Sequence, residues 1–111
     1  VCEIQIREHK ITRKQEQNAL YWVRLGEIAE QAWIQGRRYE AETLHEYCKR
    51  VYLPEICDKG VYKWVVLPNG DRVLRMSTGD LNTREFADYL TQVEAFGASL
   101  GVMFSPDPRV K

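Results

Sequence analysis

The dipeptide Asn69-Gly70 constrains this chain more than any other short feature, because both residues accept positive φ and apolar runs bracket them at 61–67 and 72–76. A two-residue turn centred on the pair predicts a β-hairpin with Val66 opposite Val73, Val65 opposite Leu74 and Trp64 opposite Arg75. One face then carries Tyr62, Trp64 and Arg75 as an aromatic and basic surface. The other carries Val65, Leu67, Leu74 and Met76 and is expected to be core.

The rest of the chain alternates between two periods. Residues 2–7 place Cys2, Ile4 and Ile6 on one side and Glu3, Gln5 and Arg7 on the other, as a half-buried strand does. From Thr12, a residue suited to helix capping, the period becomes helical. Tyr21, Leu25, Ile28 and Ala32 recur at steps of four and three, with Trp22, Ala29 and Trp33 alongside, and this helix is expected to end near Gly36. A second amphipathic helix carries Leu44, Tyr47, Cys48 and Val51 and is stopped by Pro54. Asn82 and Glu85 form a capping pair for a third, whose buried stripe is Phe86, Leu90, Val93 and Phe96 and which Gly97 and Gly101 close. The remainder, with Pro106 and Pro108, is expected to be extended. The pattern predicts an α+β fold: one small domain over 1–111 with three helices, an N-terminal strand and a β-hairpin.

A length of 111 residues suits one core of modest stability, for which dimerisation is a natural supplement. The chain begins at Val1 and enters a strand almost at once, so both ends are expected to be incomplete. Three cysteines without repeated spacing, and no signal-peptide pattern, suggest reduced thiols in a cytoplasm. No apolar run approaches a membrane span. Sixteen basic residues balance sixteen acidic ones, so net charge favours no partner. The charge is nevertheless segregated. Arg7, Lys10, Arg13, Lys14 and Arg24 crowd the first quarter, whereas Asp80, Glu85, Asp88 and Glu94 load the last third with acid.

His45, Cys48 and Cys57 are the best group of metal-ligand types, but no C-x-x-C pair accompanies them, and neither a metal nor another cofactor is expected. Glu27 with Glu30 and Glu85 with Asp88 are helix-surface pairs at i, i+3. They would matter for catalysis only if distant carboxylates converged on a metal, as in a metal-dependent nuclease. No catalytic residue is assigned. Nucleic-acid binding asks for Lys and Arg to meet phosphates and aromatic rings to stack on bases, and both occur together. Arg13, Lys14, Gln17 and Asn18 lie in the first turns of helix one, where free N–H groups also favour phosphate. Trp22 follows one turn beyond Asn18, and Gly26 leaves space beside its indole. Three further clusters are Arg37 and Arg38 with Tyr39, Lys49 and Arg50 with Tyr52, and Trp64 with Arg75, near Arg72. Helical spacing alone leaves Trp22 and Trp33 open to a second role, in the core or across a dimer interface.

The run Arg13-x-x-x-Gln17-Asn18-x-x-x-Trp22-x-x-Leu25-Gly26-x-Ile28-x-x-Gln31, followed by Trp33-x-x-Gly36-x-x-Tyr39, resembles the opening signature of the NinB proteins, also called Orf, of lambdoid phages. The likeness continues through Ala41 to Leu53, Ser77-Thr78, Phe86-Ala87-x-x-Leu90, Glu94-Ala95-Phe96-Gly97 and Gly101-Val102, from about Gln5 to Pro106. The resemblance implies a non-enzymatic recombination mediator acting in the bacterial host cell as an intertwined homodimer. Such a protein binds single-stranded DNA in preference to duplex, associates with the host single-stranded DNA-binding protein and helps load a strand-annealing recombinase on coated DNA. The family's polar and aromatic contact positions map to Gln17 and Trp22. Where the family tends to carry a basic residue before helix three, this chain has Asp80. The resemblance also implies a C-terminal helix of which Arg109 and Lys111 are the stub. An adaptor that binds the host coating protein with little DNA affinity of its own is the competing expectation.

Overall fold

Thr12 opens the first helix by a reciprocal capping box. Its Oγ1 accepts from Gln15 N at 3.1 Å, while Gln15 Oε1 accepts from Thr12 N at 2.9 Å. The computed structural model describes residues 12–106; the expected strand at 2–7, the basic residues Arg7 and Lys10, and the stub at Arg109 and Lys111 lie outside them. Helix α1 spans Arg13–Gln31 and buries Leu20, Tyr21, Leu25 and Ile28, with Ala32 just beyond. It ends at Gln31 rather than near Gly36. Residues 34–37 are withdrawn from the helix to make a tight turn, in which Ile34 and Arg37 exchange both backbone hydrogen bonds around Gln35 at φ 52° and Gly36 at φ 81°.

Helix α2, Ala41–Tyr52, buries only Leu44 and Cys48. Tyr47 and Val51, expected on its buried face, stay about half exposed. Pro54 follows the C-cap Leu53 and prevents continuation. Helix α3, Thr83–Ser99, starts at Asn82, whose side chain accepts from Glu85 N at 2.8 Å while Glu85 Oε1 accepts from Asn82 N at 3.0 Å. Phe86, Tyr89, Leu90 and Val93 form its buried stripe. Gly97 does not close this helix. Gly101 does, in a Schellman ending: Val102 N donates to Gly97 O and Gly101 N to Ala98 O, with Gly101 at φ 85°.

The hairpin forms, in a register one residue away from the expected one. Strand β1, Trp64–Val66, pairs antiparallel with β2, Arg72–Leu74, placing Trp64 opposite Leu74, Val65 opposite Val73 and Val66 opposite Arg72. Proline explains the difference. A two-residue turn at Asn69-Gly70 requires residue 68 to donate an N–H to residue 71, and Pro68 has none. Instead Leu67 N donates to Asp71 O at 2.7 Å, Gly70 N to Leu67 O at 2.8 Å, and only Gly70 takes positive φ, at 92°. The loop is therefore a three-residue one, with Pro68 supplying its favoured turn position. Asn69 Oδ1 accepts from Asp71 N at 3.0 Å.

The shift changes both faces. Trp64, Val66, Arg72 and Leu74 share one, and Val65 and Val73 the other. The second face is not core: Val65, Val73 and Leu67 are exposed, whereas Leu74 packs at the edge of the core and Met76 enters it. The described residues form a small α+β domain in which three helices hold the core and the hairpin lies at its side. No described helix is long and apolar enough to cross a membrane.

Candidate nucleic-acid interface

Helical geometry separates the residues of the first segment. Arg13 and Trp22 are nine positions apart, about two and a half turns, and so lie on opposite sides of α1. Arg13 is exposed. Lys14 Nζ donates to Gly79 O at 2.9 Å, and Lys14 and Asn18 line a cleft of about 390 Å³ with Gly79 and Phe86. Gln17 is not a surface residue. It stands one turn before Tyr21 on the buried stripe, is 5 % exposed, and donates Nε2 to Thr83 O at 3.1 Å, tying α1 to the start of α3.

Trp22 is 36 % exposed and rests on α2, its ring 4.7 Å from that of His45. Beneath it runs a chain of hydrogen bonds. The Tyr21 hydroxyl is 2.6 Å from His45 Nδ1 and 2.8 Å from the Tyr89 hydroxyl. Tyr89 donating to Tyr21, and Tyr21 to a neutral His45, is the arrangement of these three groups that gives both buried hydroxyl protons an acceptor. Burial raises the pKa of both tyrosines and, aided by Lys49 and opposed by Glu46, lowers that of His45.

Around the surface, the basic residues sit on rings. The Arg37 guanidinium lies 4.9 Å from the Tyr39 ring centre, and that of Arg38 lies 5.4 Å from Trp33, which is 64 % exposed. Arg38 also donates to Glu30 O at 3.0 Å near the end of α1. The corrected register then gives Trp64 a different neighbour from the expected Arg75. Arg72 stacks over Trp64 at 4.4 Å, Lys63 Nζ stands at 5.4 Å and Arg50 at 5.9 Å. Arg75 is exposed on the hairpin's other side, opposite Lys63. Lys49 is ion-paired with Glu46 at 3.0 Å and is the more sheltered partner.

Lys63 is the contributor that sequence reasoning missed, whereas Trp64 and Arg50, expected in separate clusters with Arg75 and with Tyr52, are brought together. Pro68 was the signal for the register that joins Trp64 to Arg72, whereas the approach of Arg50 from α2 leaves no local trace. Lys63 is buried, donates Nζ to Leu53 O at 3.0 Å, and has a pKa lowered by burial and Arg72 against the pull of Glu55. Asp80 is committed to structure. It accepts from Ser77 N at 2.9 Å and pairs with Lys59 at 3.3 Å, and the Ser77 amide foremost holds its pKa below the usual carboxylate value against desolvation.

Among the described residues no three His, Cys, Asp or Glu side chains gather as metal ligands. One carboxylate of each pair is engaged elsewhere: Glu85 Oε2 accepts from Asp58 N at 2.7 Å, and Glu27 is bound to Arg24 and Ser105. Cys48 and Cys57 are free and buried.

The order of motifs from α1 to the Schellman turn matches a family model described as NinB protein over residues 1–105. The chain belongs to the NinB family. It is 31 % identical over 98 residues to protein ninB of Escherichia phage lambda and, to the same extent, to protein ninB of Enterobacteria phage P21. It is 30 % identical over 102 residues to protein ninB of Salmonella phage P22. Each comparison covers 88 % of this chain and 64 % of the relative, so the chain spans under two thirds of the length of these NinB proteins. A solved NinB structure superimposes with a TM-score of 0.66 at 26 % identity, covering 93 % of this chain and 74 % of the other. The helices and hairpin are thus those of a NinB fold.

Proposed function

We propose that this NinB-family chain is a phage recombination mediator. It binds single-stranded DNA without sequence preference as a homodimer in the host cytoplasm, and helps load a strand-annealing recombinase on DNA coated by the host single-stranded DNA-binding protein. The observation that carries the DNA-binding part is the ring of cations on Trp64. Arg72, Lys63 and Arg50 lie within 6 Å of one indole in a protein of zero net charge. An indole with adjacent guanidinium groups supplies the two contacts that sequence-tolerant single-strand binding uses, base stacking and phosphate charge. Arg38 on Trp33 and Arg37 on Tyr39 repeat the pairing. No catalytic step belongs to this reading, and oligonucleotides are expected to survive magnesium or manganese intact.

Titration of labelled single-stranded and duplex oligonucleotides over a range of salt concentrations tests it. Affinity should fall steeply with salt, be weaker for duplex and be indifferent to sequence. Trp64→Ala should lose about 1–3 kcal/mol for each base that stacks there. Salt-independent binding, or equal affinity for duplex, overturns the reading. The exposed Val65, Val66 and Val73 on the hairpin favour a second one, an adaptor whose main contact is the host coating protein. Oligonucleotides left unbound by a chain that still binds that protein would select the adaptor.

A further inference from the structure

Helices α1 and α3 leave a track along which the residues after α3 run in extended form. Gln31 pairs with Met103 as a neighbouring strand would, donating Nε2 to Met103 O at 3.0 Å and accepting from Met103 N at 2.8 Å. One turn back along α1, Glu27 Oε2 accepts from Ser105 N at 2.9 Å, and Arg24 Nη1 donates to Ser105 O at 2.8 Å. Positions 24, 27 and 31 share one helix face. A single side of α1 thus satisfies both main-chain groups of two alternate residues in an extended segment.

The reading groups are held in place beforehand. Arg24 is buried and braced by Glu94 at 2.9 Å and Glu27 at 3.0 Å. The Met103 side chain is 81 % exposed and goes unread. Phe104 is selected: its ring faces the Arg24 guanidinium at 5.0 Å and lies so close to Gly97 that a Cβ there would stand 2.6 Å from Phe104 Cζ.

We infer that this track is a docking site for an extended peptide with an aromatic residue at its centre, and that Met103–Ser105 is a latch of the chain's own that fills it. The inference is independent of the DNA-binding reading. Main-chain bonds supply affinity and the Gly97 recess supplies selectivity, the division of labour seen when a peptide adds to a sheet edge. The hinge is the Schellman turn at Gly101, beyond which the latch lifts without breaking a hydrogen bond inside α3. A tethered segment acts at an effective concentration on the order of millimolar, so a free peptide enters only when the latch loses its anchor.

Amide shifts of the isotope-labelled full chain test the site, with a synthetic peptide of residues 102–106 as probe. In Phe104→Ala the peptide should shift the amides of Gln31 and Gly97 with an affinity about tenfold above that for the unsubstituted chain, as expected when a tethered competitor is weakened. The same peptide with alanine in place of its phenylalanine should shift neither. A second variant, Gln31→Ala, leaves the core untouched and should speed hydrogen exchange at the Met103 amide several-fold while Leu25 and Val93 stay protected. Absence of shifts in a folded Phe104→Ala chain, an equal response in the unsubstituted chain, or unchanged Met103 exchange in Gln31→Ala overturns the inference.

Discussion

The Tyr21 hydroxyl and His45 Nδ1 are 2.6 Å apart, joining the centre of α1 to the side of α2 that packs against it. Because the same hydroxyl also takes the Tyr89 proton, the imidazole must be neutral to keep the chain of donors complete. Protonation of His45 would place a donor where an acceptor is needed and leave a buried tyrosine proton without a partner.

A pH dependence follows, with its sign set by the lowered histidine pKa. The groups facing His45 are Tyr21 and Trp22 from α1 and Glu46 and Lys49 on its own helix. The unfolded chain binds the proton near the ordinary value of 6.5 and the folded chain only at lower pH. Stability is therefore full above that value and falls as pH drops through the folded pKa. Urea midpoints measured from pH 8 downward should decline below about 6.5, and His45→Gln should remove this limb. Glu27 makes a separate acid limb. Burial pushes its carboxyl up, but the Ser105 hydroxyl and amide and the Arg24 guanidinium outweigh that and hold its pKa below 4.5. This second loss begins as pH falls below 4.5, continues through the lower folded pKa, and should persist in His45→Gln.

Gly97→Ala tests the close contact of α3 with the segment that follows it. The added Cβ would stand 2.6 Å from Phe104 and 2.9 Å from the fully buried Ile28. The overpacking should cost about 1–3 kcal/mol, beyond the gain of an alanine in a helix. In a Phe104→Ala background the penalty should shrink, and additive effects in denaturant titrations would show that the two side chains are not coupled.

Gly26 and Gly70 should respond in opposite directions. A Cβ at Gly26 meets no described atom within 4 Å, and the residue lies inside α1, so Gly26→Ala should raise stability by about 0.5–1 kcal/mol. Gly70 sits at φ 92°, where an alanine is strained, and Gly70→Ala should lower stability by about 1–2 kcal/mol. Thermal melts decide both. A loss at Gly26 that grows with protein concentration would show a partner copy packed over that position.

Cys48 should resist alkylation in the native state. It is fully buried in the three-helix core, and burial pushes its thiol pKa up to about 12, so little thiolate exists at neutral pH. Iodoacetamide should modify it only as the domain unfolds, with a rate that follows denaturant concentration. Rapid labelling in buffer would contradict the burial.

Local chemistry was enough to read much of this fold from its amino acids. The capping partners Thr12 and Asn82, the break at Pro54, and the stripes through Tyr21, Leu25 and Ile28 and through Phe86, Leu90 and Val93 depend on neighbours within a few positions. The family order of motifs, equally legible, located the chain among NinB proteins. Where two local signals competed, the missing N–H of Pro68 prevailed over the preference of Asn69-Gly70, and one residue of register exchanged Arg75 for Arg72 beside Trp64. Other features had no local trace. Gln17 is buried because Thr83, distant in sequence, offers its carbonyl; Arg24 is buried because Glu94 and Ser105 meet it; Arg50 reaches Trp64 because α2 passes beside the hairpin. The stretch from 102 to 106 was expected only to be extended, and the approach of α1 to α3 made it a docked segment, since the groups that satisfy its backbone lie more than seventy residues away. Side-chain type and spacing determined which helices form. Tertiary approach decided which polar residues leave water, because a distant partner must offset the cost of desolvating them; at Gln17 Thr83 does so for Nε2, while Oε1 is buried without a partner.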